Sequence, residues 1–408
     1  MKLVFFGTLI PLTERLASAG TGMAILLSRN PQIDVIDVFA QTGGRIPEGA
    51  DNSKIHLKEP WEIDNPVSLL RAIAHLARER DSDVLFFNQS LTMFGRKKLS
   101  NVIGLLIPTI VAKWTRKPVV VYMHDFIETE EPRKLGYRAG PLSKATASFL
   151  ERLLIANTTL IVPRQSQKTA LEKKYRKHVR SQIIPYVEGI HGLVAASASE
   201  PPARQKDECV KVLLFGKWGP QKDLKGGLEI LSDLMKDGCD FKVTIAGGIN
   251  PNFPEFEGCI GESLRKFPAE RVEYIGNVPE ESVPDLFRSS DILFLPYLAS
   301  GGYSGVMNLG ALYGLRIIAY DSPQLRESDA LIGASTLFIS KDSPGANDEV
   351  RAAIDAARSG RRNSTTDMRR KLSVSALAMD DIVAHVISRA RPSSGRRGKS
   401  AKITESKL

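Results

Sequence analysis

Short, continuous apolar segments recur along the first half of the chain, and longer segments with a helical pattern separate them. The apolar segments are rich in β-branched and aromatic residues and lack polar alternation, which is typical of parallel strands covered on both faces. They predict strands at residues 3–6, 35–39, 84–88, 119–123 and 160–162. The segments between them predict helices at residues 20–29, 66–80, 99–114 and 141–155. Such alternation predicts right-handed crossovers and a doubly wound sheet.

The pattern stops near residue 190 and starts again at residue 210. Residues 195–207, in between, are rich in Ala, Ser, Pro and charged residues, which is typical of a linker. The second half predicts strands at residues 210–215, 243–246, 272–275, 292–295, 317–320 and 337–339. We therefore predict an α/β protein in which two Rossmann-like, doubly wound parallel-sheet domains face a cleft.

At 408 residues the chain is long enough for two domains. We assign residues 1–190 to a first domain, 191–209 to the linker, 210–388 to a second domain and 389–408 to a basic tail. Ligands of open α/β sheets bind beyond the carboxyl ends of the strands, so we expect functional residues in the cleft.

Composition and cysteine content favour a soluble, cytoplasmic protein, with 42% apolar and 25% charged residues. The three cysteines have no metal-ligand spacing, so we interpret them as reduced thiols. No apolar segment is long enough to cross a bilayer, since the longest, residues 102–112, is short and contains Pro108. The N-terminus resembles a secretory signal, but Gly7 and Pro11 interrupt its apolar run, which favours a buried first strand.

The net charge of +10 is large enough to influence which partners and surfaces the protein associates with. Residues 389–408 contain seven basic residues and one acid, and they predict a disordered tail. Residues 105–117 combine apolar residues with Trp114, Arg116 and Lys117, and with the tail they predict peripheral docking on an anionic, cytoplasmic membrane face. The alternatives are that residues 105–112 form the buried face of a helix and that the tail serves solubility. No nucleic-acid motif is present, so we expect no nucleic acid as a partner.

A Gly/Ser-rich loop, residues 299–305, joins the predicted strand at residues 291–296 to an apolar helix at residues 306–313. The start of a helix directs unpaired backbone N–H groups and the positive end of the helix dipole at one point, which suits phosphate. Ser304 and Gly305 occupy this position. The alternative is an ordinary βα turn without a ligand.

A second Gly-rich loop follows the strand at residues 210–215 and contains Gly216, Lys217 and Lys225. Ammonium groups at a strand end would bind a diphosphate and stabilise it as a leaving group. The alternative is that Lys217, Lys222 and Lys225 form a solvated face of the loop.

The region from residue 272 to residue 327 resembles the donor-binding half of GT-B glycosyltransferases, specifically the retaining family 4. The matching stretches, in the family's order, are Ser290-Asp291-Ile292-Leu293-Phe294-Leu295-Pro296, Gly310-Ala311-Leu312-Tyr313-Gly314, Ile317-Ile318-Ala319 and Arg326-Glu327. In the second Gly-rich loop, Lys225-Gly226 matches the family's Lys-Gly, and Lys217 replaces its Arg. The resemblance implies transfer of a sugar from a nucleotide-diphosphate sugar to a hydroxyl acceptor, glycan or lipid-linked, with retention and without a metal or other cofactor.

The resemblance also implies roles for individual residues. As catalytic residues we expect His124, at the end of the strand at residues 119–123, with Lys217 and Lys225. As donor-binding residues we expect Thr21 and Gly22 at the start of the first helix, Gly216, Ser304, Gly305 and Asn308. Asn88, at another strand end, is a candidate for acceptor contact, with a buried capping role as the alternative.

The chain departs from the family at two positions. The family commonly carries two Glu residues eight positions apart, which bind the donor sugar and the ribose, and these positions are Gly301 and Leu309 here. We expect Asn308 to replace the second one. The departure leaves a second hypothesis open, a catalytically impaired relative that binds a nucleotide sugar or a partner subunit. A nucleotide-sugar epimerase, suggested by Ser300-Gly301-Gly302, ranks last.

Overall fold

Two parallel β-sheets, one in each half of the chain, organise the computed structural model. The structure describes residues 1–11, 15–47, 53–126, 140–175, 181–183, 209–250, 253–298, 304–359, 383–384 and 388. Apart from Cys209, the predicted linker lies outside the described residues, as does the whole basic tail. The predicted domain limits therefore stay predictions.

The first sheet has seven parallel strands in the order β3-β2-β1-β4-β5-β6-β7. All five predicted strands of this half are confirmed, and β3 and β7 are additional. The strands and helices are β1 (Lys2–Phe6), α1 (Arg15–Arg29), β2 (Val35–Gln41), β3 (Ile55–Trp61), α2 (Pro66–Arg78), β4 (Val84–Gln89), α3 (Lys98–Thr115), β5 (Val119–Met123), α4 (Pro141–Asn157), β6 (Thr159–Val162), α5 (Gln165–Tyr175) and β7 (Ser181–Ile183).

Strand β1 lies near the centre of this sheet, and this position explains why its run of apolar residues is continuous. Phe6 packs on one face against Phe87, with ring centroids 5.4 Å apart, and Phe5 packs on the other face against Phe86 at 5.8 Å. Both faces are therefore covered, as expected for a parallel sheet. The interpretation of residues 3–6 as a buried strand is confirmed.

The second sheet has six parallel strands in the order β10-β9-β8-β11-β12-β13, and all six predicted strands are confirmed. The elements are β8 (Val210–Phe215), α6 (Leu224–Lys236), β9 (Phe241–Ala246), α7 (Phe256–Leu264), β10 (Val272–Gly276), a 3₁₀ turn (Glu280–Ser282), α8 (Val283–Arg288), β11 (Ile292–Leu295), α9 (Gly305–Leu312), β12 (Arg316–Tyr320), α10 (Pro323–Ile332), β13 (Leu337–Ile339) and α11 (Ala346–Arg358).

The strand order reverses once in each sheet, between β1 and β4 and between β8 and β11. At such a switch point the connections leave in opposite directions, so a crevice opens beyond the carboxyl ends of the two strands. These two crevices position the candidate site.

Three details differ from the sequence-based predictions. Helix α1 begins at Arg15, five residues earlier than predicted. In α3, Leu105, Ile107 and Val111 are buried in the core of the first sheet, so the buried-face alternative for residues 105–112 is correct. Val383, which the prediction places in the second domain, is buried among core residues of the first sheet.

Within the described residues, no helix combines the length and the apolar character that a membrane span requires.

Candidate functional site

The crevice of the second sheet contains a lysine ammonium group at its floor. Lys222 Nζ donates a hydrogen bond to the Tyr297 hydroxyl at 3.2 Å and lies 4.3 Å from the centroid of the Tyr297 ring. Gly216, which follows β8, provides the room, because a Cβ atom there would lie 2.2 Å from Lys222 Nζ. A positive charge is therefore held at the tips of β8 and β11.

Tyr297 joins the two strand tips. Its hydroxyl donates to the carbonyl of Phe215 at 2.6 Å, across the switch point. The backbone N–H of Leu298 donates to the carbonyl of Gln221 at 3.0 Å, which attaches the lysine-containing loop to the same place. These two hydrogen bonds therefore fix the loop after β8 in position next to the crevice.

The two lysines that the resemblance selected have more exposed side chains than Lys222. Lys217 is exposed, and Lys225 is exposed in the first turn of α6. Asp223 caps that helix, since its side chain accepts from Gly226 N–H at 3.2 Å. Lys222 therefore precedes the cap and belongs to the loop, whereas Lys225 belongs to the helix. Recognising Asp223 as an N-cap in the sequence would have identified Lys222 as the loop lysine.

Helix α9 begins beside this crevice, as the Gly/Ser loop predicts. Ser304 is its N-cap, and the Ser304 hydroxyl accepts from Met307 N–H at 3.3 Å. Ser304 N–H donates to the Ser328 hydroxyl at 3.4 Å, so its own polar groups hold the start of the helix in place. The N–H groups of Gly305 and Val306 in the first turn have no acceptor within the helix, which is the requirement for binding an anion there.

The following residues of α9 face the protein interior. Asn308 is almost completely buried, one turn beyond Ser304. Leu309, at the family's second Glu position, belongs to the hydrophobic core of the second sheet. Gly301 lies outside the described residues.

The crevice of the first sheet brings His124 and Asn88 together. His124 follows β5, and its Nε2 lies 2.7 Å from Asn88 Oδ1 at the end of β4. Which of the two side chains donates depends on the tautomer of His124 and on the orientation of the Asn88 amide. The backbone of His124 is held on both sides, by Gln89 O at 2.9 Å and by Gln167 Nε2 at 2.9 Å.

Asn88 is completely buried, so the structure assigns it to orienting His124 rather than to contact with an acceptor. Gly20 of α1 lies directly against it. A Cβ at Gly20 would lie 3.1 Å from Asn88 Nδ2 and 2.2 Å from the carbonyl oxygen of Thr8. Glycine at this position therefore allows α1 to approach the strand tips closely.

Thr21 and Gly22 lie in the second turn of α1 and not in a loop at its start, because the helix begins at Arg15. The Thr21 hydroxyl donates to the carbonyl of Ala17 at 2.8 Å and accepts from Ile10 N–H at 3.0 Å. The Thr21 hydroxyl therefore holds the residues that follow β1 against α1. The predicted position of both residues at the start of the helix is thus wrong, and Thr21 has a structural role here.

No protein-family profile and no curated protein sequence matches the chain. Solved structures do match. Anabaena HepE in complex with UDP-glucose superposes with a TM-score of 0.62 at 14% identity, over 95% of this chain and 99% of that one. Sucrose-phosphate synthase from Thermosynechococcus elongatus gives 0.65 at 13% identity, again over 95% and 99%. An E. coli structure bound with UDP-2-fluoro glucose gives 0.66 at 13% identity, with the same coverage.

These structures are glycosyltransferases of the GT-B type. The chain has the GT-B fold. Two Rossmann-like sheets with their switch points at one cleft are the defining elements of that fold, and the sequence-based prediction of the fold class is confirmed.

A hydrogen-bonded contact between Glu327 and Ser166 crosses between the two halves of this GT-B chain. Glu327, in α10, accepts from the Ser166 hydroxyl at 2.6 Å and from Ser166 N–H at 3.1 Å. Ser166 lies in the first turn of α5, where a carboxylate is favourable for the exposed N–H groups and the dipole. The matched Glu of the family resemblance thus connects the two halves here.

In the part of the chain that the structure describes, no carboxylates suited to a divalent cation are gathered at the cleft. Asp81 and Asp83 precede β4, at the amino edge of the first sheet, and Asp83 accepts from Lys2 N–H at 2.7 Å. Among the described residues, no group of three His, Cys, Asp or Glu side chains is arranged to hold a metal ion.

Proposed function

We propose that this GT-B protein is a glycosyltransferase that moves a sugar from a nucleotide-diphosphate sugar to a hydroxyl acceptor. The observation that carries the proposal is the Lys222 ammonium group, held by Tyr297 at the second switch point beside the start of α9. A lysine and helix N–H groups together supply what a departing diphosphate needs. The similar structures with UDP-glucose and UDP-2-fluoro glucose support this class of donor.

In this proposal the diphosphate lies between Lys222 and the N–H groups of Gly305 and Val306. Their positive charge stabilises the negative charge that develops when the bond between sugar and phosphate breaks. His124, which Asn88 orients at the carboxyl edge of the first sheet, is the candidate for a hydrogen bond with a sugar hydroxyl. Lys217 and Lys225 contribute to the positive surface around the cleft.

The finer parts of the proposal are retention of configuration, family 4-like chemistry, metal independence and a glycan or lipid-linked acceptor. The family resemblance supports the first three. We expect turnover to be unchanged by a chelator, and we expect the product anomer, read by nuclear magnetic resonance, to match the donor. Loss of turnover that Mg²⁺ restores would contradict metal independence.

A second candidate function is an impaired relative that binds a nucleotide sugar without transferring it. The burial of Leu309 in the core favours it, because a carboxylate that touches the nucleotide in the family is absent. Turnover separates the two candidates, since both predict donor binding and only the first predicts transfer.

The test compares two lysines that lie close in sequence and have the same charge. Lys222→Ala should weaken nucleotide-sugar binding and reduce transition-state stabilisation by about 2 to 4 kcal/mol, the range for a lost charge-stabilising donor. Lys225→Ala is the matched control and should cost less, because that side chain is exposed on α6. Calorimetry with UDP-glucose and a panel of other nucleotide sugars gives the affinities. A larger loss for Lys225→Ala would overturn the assignment, and no binding of any nucleotide sugar at millimolar concentration would overturn the function.

A further inference from the structure

Exposed apolar side chains are concentrated on three neighbouring helices of the first half. Among the described residues, every large apolar side chain that is more than half exposed lies on α2, α3 or α4, with exposures from 54% to 81%. They are Val67, Leu70, Leu99, Trp114, Leu142 and Phe149. We call the outward surface of these helices the α2–α4 face. A concentration of exposed apolar side chains on one surface is typical of an interaction site.

The charges on the α2–α4 face have a single sign. Six basic side chains of these helices are exposed, namely Arg71, Arg78, Lys98, Lys113, Lys144 and Arg152. The helices contain a single acid, Glu151, which is buried and accepts from the Tyr175 hydroxyl at 2.7 Å. The face therefore combines apolar side chains with positive charge and presents no carboxylate.

The position of the face relates it to the cleft. Helix α3 packs between α2 and α4 on one side of the first sheet. Each of the three helices runs from the carboxyl edge of the sheet to its amino edge, because it connects two parallel strands. Val67, Leu70, Leu99 and Leu142 lie in the first two turns of their helices, at the edge that borders the cleft. Trp114 lies at the far end.

We propose that the α2–α4 face docks on an anionic membrane surface. Apolar side chains surrounded by basic ones match the boundary between acyl chains and anionic headgroups. A second copy of the chain fits poorly, because pairing two such faces would oppose six basic residues with six more. A nucleic acid would match the charge but would leave the aliphatic side chains in water.

Docking in this way has a consequence that rests on the proposed function. The cleft would open at the membrane surface, where a lipid-linked hydroxyl acceptor would reach it without leaving the bilayer. The face differs from the segment at residues 105–117 that the sequence suggested. Residues 105–112 are largely buried, and it is the end of α3, with Lys113 and Trp114, that belongs to the α2–α4 face.

The experiment measures binding of the full-length chain to vesicles without any nucleotide sugar. One vesicle population is phosphatidylcholine, and the other contains about a third phosphatidylglycerol to supply negative surface charge. Two double variants change the face, Lys113→Glu with Arg152→Glu and Trp114→Ser with Phe149→Ser. Their matched controls lie on the second half, Arg265→Glu and Ile275→Ser, which alter an exposed charge and an exposed apolar side chain.

We expect the wild-type chain to bind the anionic vesicles and not the neutral ones. Each basic side chain near such a surface is worth about fivefold in partitioning, so reversal of two should weaken binding at least about 25-fold. The aromatic double variant should weaken binding also at high salt, where the charges are screened. Both controls should bind like the wild type, and circular dichroism should show all variants folded, since every changed side chain is exposed.

Unchanged binding of both face variants would overturn the proposal, whether or not removal of residues 391–408 abolishes binding. A dimer in light scattering that the aromatic double variant dissociates would also overturn it, because the face would then be a self-contact. Calorimetry with UDP-glucose keeps the two proposals apart. Vesicle binding without donor binding would support docking of the α2–α4 face and contradict the proposed glycosyltransferase function. Donor binding without vesicle binding would support the glycosyltransferase function and contradict the docking proposal.

Discussion

Asp37 carries a carboxylate inside β2, where its side chain is 3% exposed. Lys2 Nζ lies 3.0 Å from Oδ2, and Lys58 Nζ lies 3.4 Å from the same atom. Burial alone would raise the pKa of the Asp37 carboxyl, but the ammonium groups of Lys2 and Lys58 outweigh it and hold the pKa below the ordinary 3.8. The buried charge is therefore a stabilising one as long as it has its partners.

This arrangement predicts a pH-dependent effect of Asp37→Asn. Because the folded state lowers the pKa, the carboxylate's contribution is complete above its ordinary pKa and is lost as the pH falls through the folded value. The variant should lose about 1 to 3 kcal/mol of unfolding free energy at neutral pH, and the difference should shrink below about pH 4. Denaturant unfolding at several pH values measures it. Asp285→Asn, an exposed control paired with Arg288, should change little, and a pH-independent difference for Asp37→Asn would contradict the pKa argument.

Asn308 is the candidate replacement for the missing ribose ligand, and its side chain is almost completely buried. If its amide serves the nucleotide, Asn308→Ala should raise the Kd for the donor about tenfold, the equivalent of one hydrogen bond. Calorimetry on the folded variant gives the affinity, and thermal unfolding gives the stability separately. Lower stability with unchanged affinity would show that Asn308 supports only the interior.

At the scale of elements, the two parts of α9 have different surroundings: its first residues lie at the candidate binding site, and the rest of the helix packs in the core. Its start at Ser304 and Gly305 borders the crevice, whereas Met307 and Leu309 to Leu312 are buried. The helix has only eight residues, so packing rather than helix propensity holds it in place. The position of the family's second Glu has therefore become part of the core.

This packing predicts that restoring the carboxylate will damage the fold. Leu309→Glu should lower the unfolding free energy by at least about 3 kcal/mol, because it removes core packing and buries an unpaired charge. Ala330→Glu, an exposed position on α10, is the control and should change the stability by less than about 0.5 kcal/mol. Thermal and denaturant unfolding measure both. A stable Leu309→Glu variant with tighter nucleotide binding would show that position 309 faces the donor instead.

At the scale of the whole molecule, the contact between Glu327 and Ser166 joins the two halves across the cleft. We predict that Glu327→Ala shifts the protein towards a more open arrangement, because α5 loses the carboxylate at its start. Small-angle scattering without donor should show a larger radius of gyration than in the wild type. Glu349→Ala, an exposed acid on α11, is the control. Identical scattering of all three proteins would mean that the contact does not limit opening.

The sequence alone determined where most strands lie and that there are two sheets, because a continuous apolar run depends only on neighbours along the chain. It missed β3, since nearly all residues of that strand are exposed or half-buried and it contains Pro60, which is tolerated at an edge position. It also located the two Gly-rich loops and His124 at strand ends, which follow directly from the strand positions.

Only the tertiary structure decided which side chains from those loops enter the crevices. The Lys222 ammonium group lies at the strand tips, because Tyr297, far along the chain, supplies the surface on which it rests. The burial of Leu309 in the core and the contact of Glu327 with Ser166 likewise depend on residues that are far away in the sequence. Burial and hydrogen bonding depend on partners that the fold brings together from distant parts of the chain, and a local pattern does not contain them.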